Sequence, residues 1–102
     1  MATHRLKVMA DYFAFPVWDA GGSELGVLPD SLAVGDALMS DLWRWAAEYD
    51  ALADSMYSWP SPARRNEFAE TGLTLARRLQ AELGPTFEIL YFDCRSEELC
   101  SL

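Results

Sequence analysis

The chain has 102 residues, enough for a single domain with a modest core, and 51% of them are hydrophobic, which excludes a disordered profile. Its net charge is -8, and residues 11–54 carry it: nine acids (Asp11, Asp19, Glu24, Asp30, Asp36, Asp41, Glu48, Asp50, Asp54) stand against one base, Arg44. That imbalance excludes nucleic acid and anionic membrane as partners, since phosphates are held by clustered Lys and Arg, and it favours a basic protein surface.

In chain order, "RLKVMADYF" (residues 5–13) alternates Leu6, Val8, Ala10 and Tyr12 with Arg5, Lys7, Met9 and Asp11. Period two with one apolar face predicts a strand. Residues 14–30 hold two prolines and three glycines, which predicts a loop with a short extended piece at Leu25 to Leu28. The aromatic run "FAFPVW" inside it reads chiefly as a lid over the second face of the sheet, burying Trp18.

A first helix is expected from near Ser31, capped by Asp30 or Ser31. Leu38, Leu42, Trp45, Tyr49, Leu52 and Met56 repeat at four and three and form its core stripe, with Gly35 as a weak point in its first turns. Ser61 then caps a second helix with Pro62 at its first position, running to about Leu83 and ended by Gly84 and Pro85. Gly72 sits in the middle of its apolar stripe, where close approach of an indole ring or a backbone is the expected reason. "TFEILYF" (residues 86–92) is the second strand, and residues 94–102 read as a flexible or turn-forming tail. Clustering of Met9 and Phe13 with Leu90 and Phe92 favours a parallel pair of strands.

The fold class expected is a small α/β domain of order β-loop-α-α-β, with two helices on one face of a two-stranded sheet. Two strands make a poor sheet alone, so a homodimer that extends it through its apolar edges is also expected. No apolar run reaches the length of a membrane span, and the N-terminus lacks a cleavable signal pattern, which together read as cytoplasmic.

Catalytic chemistry has little to work with. The single histidine, His4, and the two cysteines, Cys94 and Cys100, lie at opposite ends of the chain. A Cys–His pair would need the termini to meet, and neither a metal site nor a disulfide framework follows from this spacing. No cofactor fingerprint is present, so the expectation is a non-enzymatic protein with no cofactor and no metal. The alternative is a ligand or metal-dependent enzyme whose crevice is built from Asp11, Trp18, Asp19 and Asp93 at the strand C-ends. The leading candidate surface lies on the first helix instead. Counting 100° per residue places Asp36, Trp43 and Asp50 on one ridge outside the core stripe, with Asp54 below. Trp43 there either packs its ring over the rim of the core or anchors an interface.

"ADYFAFPVWD", "LPDSLAVGDALMSDLWRWAAEYD" and "FAETGLTLARRLQAELGPTFEILYFD" together resemble a group of short bacterial proteins of uncharacterised function. They share an aromatic-Pro-x-Trp loop, a Leu-Pro-x-Ser helix start and a Trp-rich first helix. The residues carrying the likeness are Pro16, Trp18, Ser31, Trp45, Gly72 and Gly84, and they imply structural roles. Size and charge give a looser likeness to small acidic immunity proteins and inhibitors of nucleases and toxins, which implies a basic protein as partner.

Overall fold

The structure, a computed structural model, describes residues 4–22 and 25–102. Glu24 of the acidic segment lies outside the described residues. Among the described residues, four strands and two long helices are arranged in the order β1 (His4–Val8), β2 (Val17–Asp19), α1 (Asp36–Asp50), α2 (Pro62–Leu83), β3 (Phe87–Asp93) and β4 (Glu98–Ser101). The sheet order is β2-β1-β3-β4. β1 and β3 pair in parallel as expected, with Leu6 beside Ile89 and Val8 beside Tyr91, though Met9 and Phe13 lie beyond the end of β1. Both outer pairings are antiparallel.

The expectation of two strands is therefore corrected to four, and both additions come from segments read as irregular. Val17–Asp19 was expected in a lid. It runs antiparallel to β1, so Val17 falls opposite Val8 and buries on the same face. Phe15, Pro16 and Val17 are buried against the helices rather than over the second face of the sheet. The residues 94–97 do make a turn, but the tail then returns as β4 along β3. The extended piece near Leu25 to Leu28 is present, with Asp19 N donating to Leu25 O (2.8 Å) and Val27 N to Val17 O (2.9 Å). The strands whose exposed edges argued for a homodimer are both interior, which removes that argument.

β1 stops at Val8, short of the expected Phe13. Ala14 N reaches back to Asp11 O (3.4 Å), and Phe13 adopts φ = 60°, so the chain turns out of the sheet plane. Phe13 is thus not on the second face with Leu90 and Phe92. That face carries an Arg5–Glu88 ion pair at 2.6 Å and still buries Leu90, which is 5% exposed. Trp18 is half-buried there, not sealed under a lid, and its indole Nε1 donates to Met9 O (3.0 Å).

α1 begins five residues later than expected. Pro29–Ser31 make a short 3-10 turn, and Gly35 is the N-cap of α1 rather than a flaw in its first turn. Gly35 has no side chain to cap with; its own N–H is held by Glu82 Oε1 of α2 at 2.8 Å. After Asp50 the helix tightens into a 3-10 segment, Ala51–Ser55, and Met56 leaves it in a left-handed conformation. The tightening breaks the 100° count, so Met56 is exposed and not part of the core stripe. α2 keeps its expected ends: Ser61 Oγ accepts from Arg64 N (3.2 Å), Pro62 is first, and Gly84 has φ = 82°.

The core lies between the sheet and the helix pair, where Leu6, Val8, Val17, Ile89 and Tyr91 meet Leu38, Leu42 and Trp45 of α1 and Phe68, Leu75 and Leu79 of α2. Trp45 stacks flat on Phe68 (4.5 Å, 10°) and donates Nε1–H to its carbonyl at 2.9 Å. Tyr91 Oη donates to Ala69 O at 2.8 Å. Both aromatics converge on the gap left by Gly72, where a Cβ would collide with the Trp45 ring and the Tyr91 phenol.

Candidate functional site

Three of the four ridge residues lie on α1 and the fourth in the 3-10 segment after it. Asp36 opens the helix and is exposed, Trp43 lies one turn pair further along, and Asp50 closes it. Asp54 follows, exposed, in the 3-10 segment. Trp43 keeps 46% of its surface open while its ring packs 4.9 Å from that of Phe15. It rests on the rim of the core and still offers a face to solvent. Arg44 does not neutralise the ridge. It points to Asp41 (3.4 Å), which also takes Arg78 from α2 at 2.7 Å. The Arg78 guanidinium is the main reason the Asp41 carboxyl lies below its ordinary range.

Asp50 has a further task that helix counting does not reveal. Its Oδ1 accepts from Phe13 N at 2.8 Å, tying the loop after β1 to the end of α1. The Asp50→Ala chain is expected to lose about 1–2 kcal/mol, the usual worth of a charge-assisted hydrogen bond. Equilibrium denaturation checks this; an unchanged midpoint would mean that the Phe13 turn holds itself.

That tie gathers a second feature. Tyr12 packs at 4.5 Å on Tyr49 and edge-on at 5.0 Å on Tyr57, which leaves the 3-10 segment from the opposite side. Burial against Tyr12 pushes the Tyr49 hydroxyl up to about 12. Outside this pair stand Phe13 (78% exposed), Met56 (85%) and Tyr57 (65%). All three have positive φ, at 60°, 57° and 63°. Asp11, Asp50 and Asp54 flank them in sequence or by contact. Sequence reasoning missed this patch, because it placed Phe13 on the sheet and Met56 in the helix stripe. The available signal was that two reversals, "ADYFA" and "DSMYS", contain no glycine.

Of the alternative crevice, Asp19 and Asp93 are set apart along the sheet. Asp19 is opposite Leu6, and Leu6 is beside Ile89, so Asp93 lies four residues further along, roughly 13 Å by strand rise alone. Each carboxylate also has work of its own. Asp11 Oδ1 accepts from Tyr12 N and Asp19 Oδ1 from Gly21 N, both at 2.8 Å. Asp93 takes Arg95 on both oxygens, at 3.0 and 2.7 Å, while Arg95 reaches Glu70 at 3.1 Å. The Arg95 hydrogen bond holds the Asp93 carboxyl below its usual range. These contacts close the turn that makes β4 possible. Trp18 is committed to the Met9 carbonyl.

His4 stacks on Phe87 at the start of β3 (5.0 Å), whereas Cys94 lies past its far end, about 23 Å away by strand rise. Cys94 and Cys100 are free thiols, and burial pushes the Cys94 thiol up, away from the nucleophilic form. Among the described residues no group of three His, Cys, Asp or Glu is placed to hold a metal ion. No helix among them is long and apolar enough to cross a membrane. A groove of about 230 Å³ between the end of α1 and the start of α2 is lined by Leu52, Trp59 and Phe68 and bridged by Arg64 and Glu48 at 3.7 Å.

The arrangement offers an exposed aromatic surface bordered by carboxylates, which is chemistry for binding a protein. No curated protein matches the chain. A family model described as Serratia CdiI immunity protein-like matches residues 4–94, which takes in the sheet from β1 to β3, both helices and the whole of the ridge. By that match the chain belongs to the Serratia CdiI immunity protein-like family.

Proposed function

We propose that the chain is an immunity protein that neutralises a toxin by binding it, without catalysis, and that its toxin is basic where the two meet. The ridge of Asp36, Trp43, Asp50 and Asp54 is the surface in this reading. The observation that carries it is the half-exposed Trp43 set on a helix face whose charges are all acidic, inside a segment of net charge -8. An amphipathic ring supplies buried area, and carboxylates around it steer a cationic partner and accept from its Arg side chains.

The test needs the cognate toxin domain, sought first among the reading frames beside this chain's gene. Asp50 is unsuitable as a probe of the field alone, because it holds the Phe13 turn. Asp36 and Asp54 make no such tie, so the Asp36→Lys, Asp54→Lys chain isolates the charge. It is expected to stay within about 1 kcal/mol of wild-type stability, part of that from reversing the charge at the N-terminus of α1. Its association rate with the toxin should fall about 10–100-fold at low salt, with the difference narrowing as salt rises. A folded double variant that binds at the wild-type rate at every ionic strength would place the toxin on another face.

A further inference from the structure

We propose that Phe13, Met56 and Tyr57 are the hydrophobic anchor of this protein, a preformed aromatic knob that seats in a cationic protein surface. The inference deepens the immunity reading and rests on it: it places the energetic centre of the interface at the end of α1, beyond the acidic ridge.

The argument begins with backbone conformation. Left-handed φ is easy for glycine, tolerable for asparagine, and unfavourable for large side chains. Here a phenylalanine, a methionine and a tyrosine adopt it, the last two in succession, and Glu97 adopts it in the turn before β4. Burial would be the ordinary compensation, but these three are among the most exposed apolar residues of the chain. The strain therefore brings no core packing. What it brings is direction, since it turns the three side chains outward around the Tyr12–Tyr57 contact.

The backbone beneath them is fixed. Phe13 N is held by Asp50, and Tyr57 N donates to Leu52 O at 2.7 Å. Ser55 Oγ donates between the Leu52 and Ser58 carbonyls, at 3.2 and 3.1 Å, and so braces the second turn. A surface held this way loses little freedom on binding, which is how preorganised interfaces gain affinity.

Charge selects the occupant. Asp11, Asp50 and Asp54 border the knob on the α1 side, where the field is acidic, while on the α2 side Arg65 lines a groove together with Tyr57. Exposed faces of Tyr57 and Phe13 beside three carboxylates suit a guanidinium or ammonium group, which can lie against a ring while pairing with an acid. The partner is thus a protein surface rich in Arg or Lys.

The test separates the anchor from the immunity reading. Wild type, Phe13→Gly, Tyr57→Gly and a control, Leu99→Ser, half-exposed on β4 beside Phe92, are titrated calorimetrically with the cognate toxin domain. Each glycine variant is expected to weaken Kd at least about 30-fold, the scale of a hot-spot residue, with the control within about threefold. Their Tm should stay within about 3 °C of wild type, because glycine relieves the left-handed strain. Where a glycine variant melts lower than that, Phe13→Asn and Tyr57→Asn replace it, since asparagine keeps the conformation and deletes the ring. Folded variants of both positions that keep Kd within threefold overturn the anchor and leave the immunity reading standing. If the wild-type chain does not bind the toxin, the immunity reading falls and the anchor is judged by amide shift changes on adding a capped nona-arginine peptide. Shifts confined to residues 12–14 and 55–58 support it, and shifts absent there overturn it.

Discussion

The Gly72→Ala chain is expected to lose about 3 kcal/mol of stability, the upper part of the range for overpacking a core. For a domain this size that is a fall in Tm of roughly 12–20 °C. The size follows from what the added methyl would meet. A Cβ at Gly72 collides with the Trp45 ring and with the hydroxyl and ring of Tyr91. Neither can withdraw cheaply, because Trp45 is stacked on Phe68 and hydrogen-bonded to its carbonyl, while Tyr91 is tied to Ala69 O. Helix propensity acts the other way and favours alanine by about 1 kcal/mol, so a net loss is itself informative. Tyr91→Phe should recover part of the loss, since it deletes one of the colliding atoms. The Ala69 carbonyl it leaves behind still serves the ladder of α2. A Gly72→Ala chain that melts at or above wild type would show that α2 can slide on the sheet, and the close approach would then explain nothing.

Gly72 shows what a sequence can carry. The residue stands alone in an apolar stripe, and a stripe is local information, so its close packing under an aromatic was legible. So were the ends of α2, because Ser61, Pro62 and Gly84 act on their own neighbours. The start of α1 was not: Gly35 caps with no side chain and is held by Glu82, 47 residues away. β2 was hidden because it has three residues and follows a proline, and it takes its partners from β1 and the Leu25–Val27 segment. β4 was hidden because "ELCS" has no alternation, and it forms where Arg95 closes the preceding turn on Asp93. The candidate site divides in the same way. The acidic ridge came from counting along one helix. The knob depends on Asp50 meeting Phe13 and Tyr12 meeting Tyr57, pairs set 37 and 45 residues apart, and no periodicity reports such a meeting.

The second large effect is at Trp45, the residue on which α1, α2 and β3 all lean. Its side chain is 2% exposed, and it touches Phe68 at 4.5 Å and Tyr91 at 6.4 Å between ring centres. Trp45→Ala is expected to cost about 3–5 kcal/mol, the range for deleting a core aromatic. Against a total stability of roughly 5–15 kcal/mol for a domain, that leaves a chain close to unfolding at 37 °C. Trp45→Phe divides the loss into its parts. It retains much of the stack on Phe68 and removes the indole donor, whose acceptor remains bonded within α2, so a cost nearer 2 kcal/mol is expected. Denaturation followed by far-UV circular dichroism measures both, since the other three tryptophans complicate fluorescence. The two sites should also interact. With alanine at 45, one of the two walls around Gly72 is gone, and Gly72→Ala in that background should cost at least about 1 kcal/mol less than it does alone. Additive losses would mean that Tyr91 by itself sets the helix-to-sheet distance. Trp45 would then hold α1, and with it the acidic ridge, without deciding how near α2 comes.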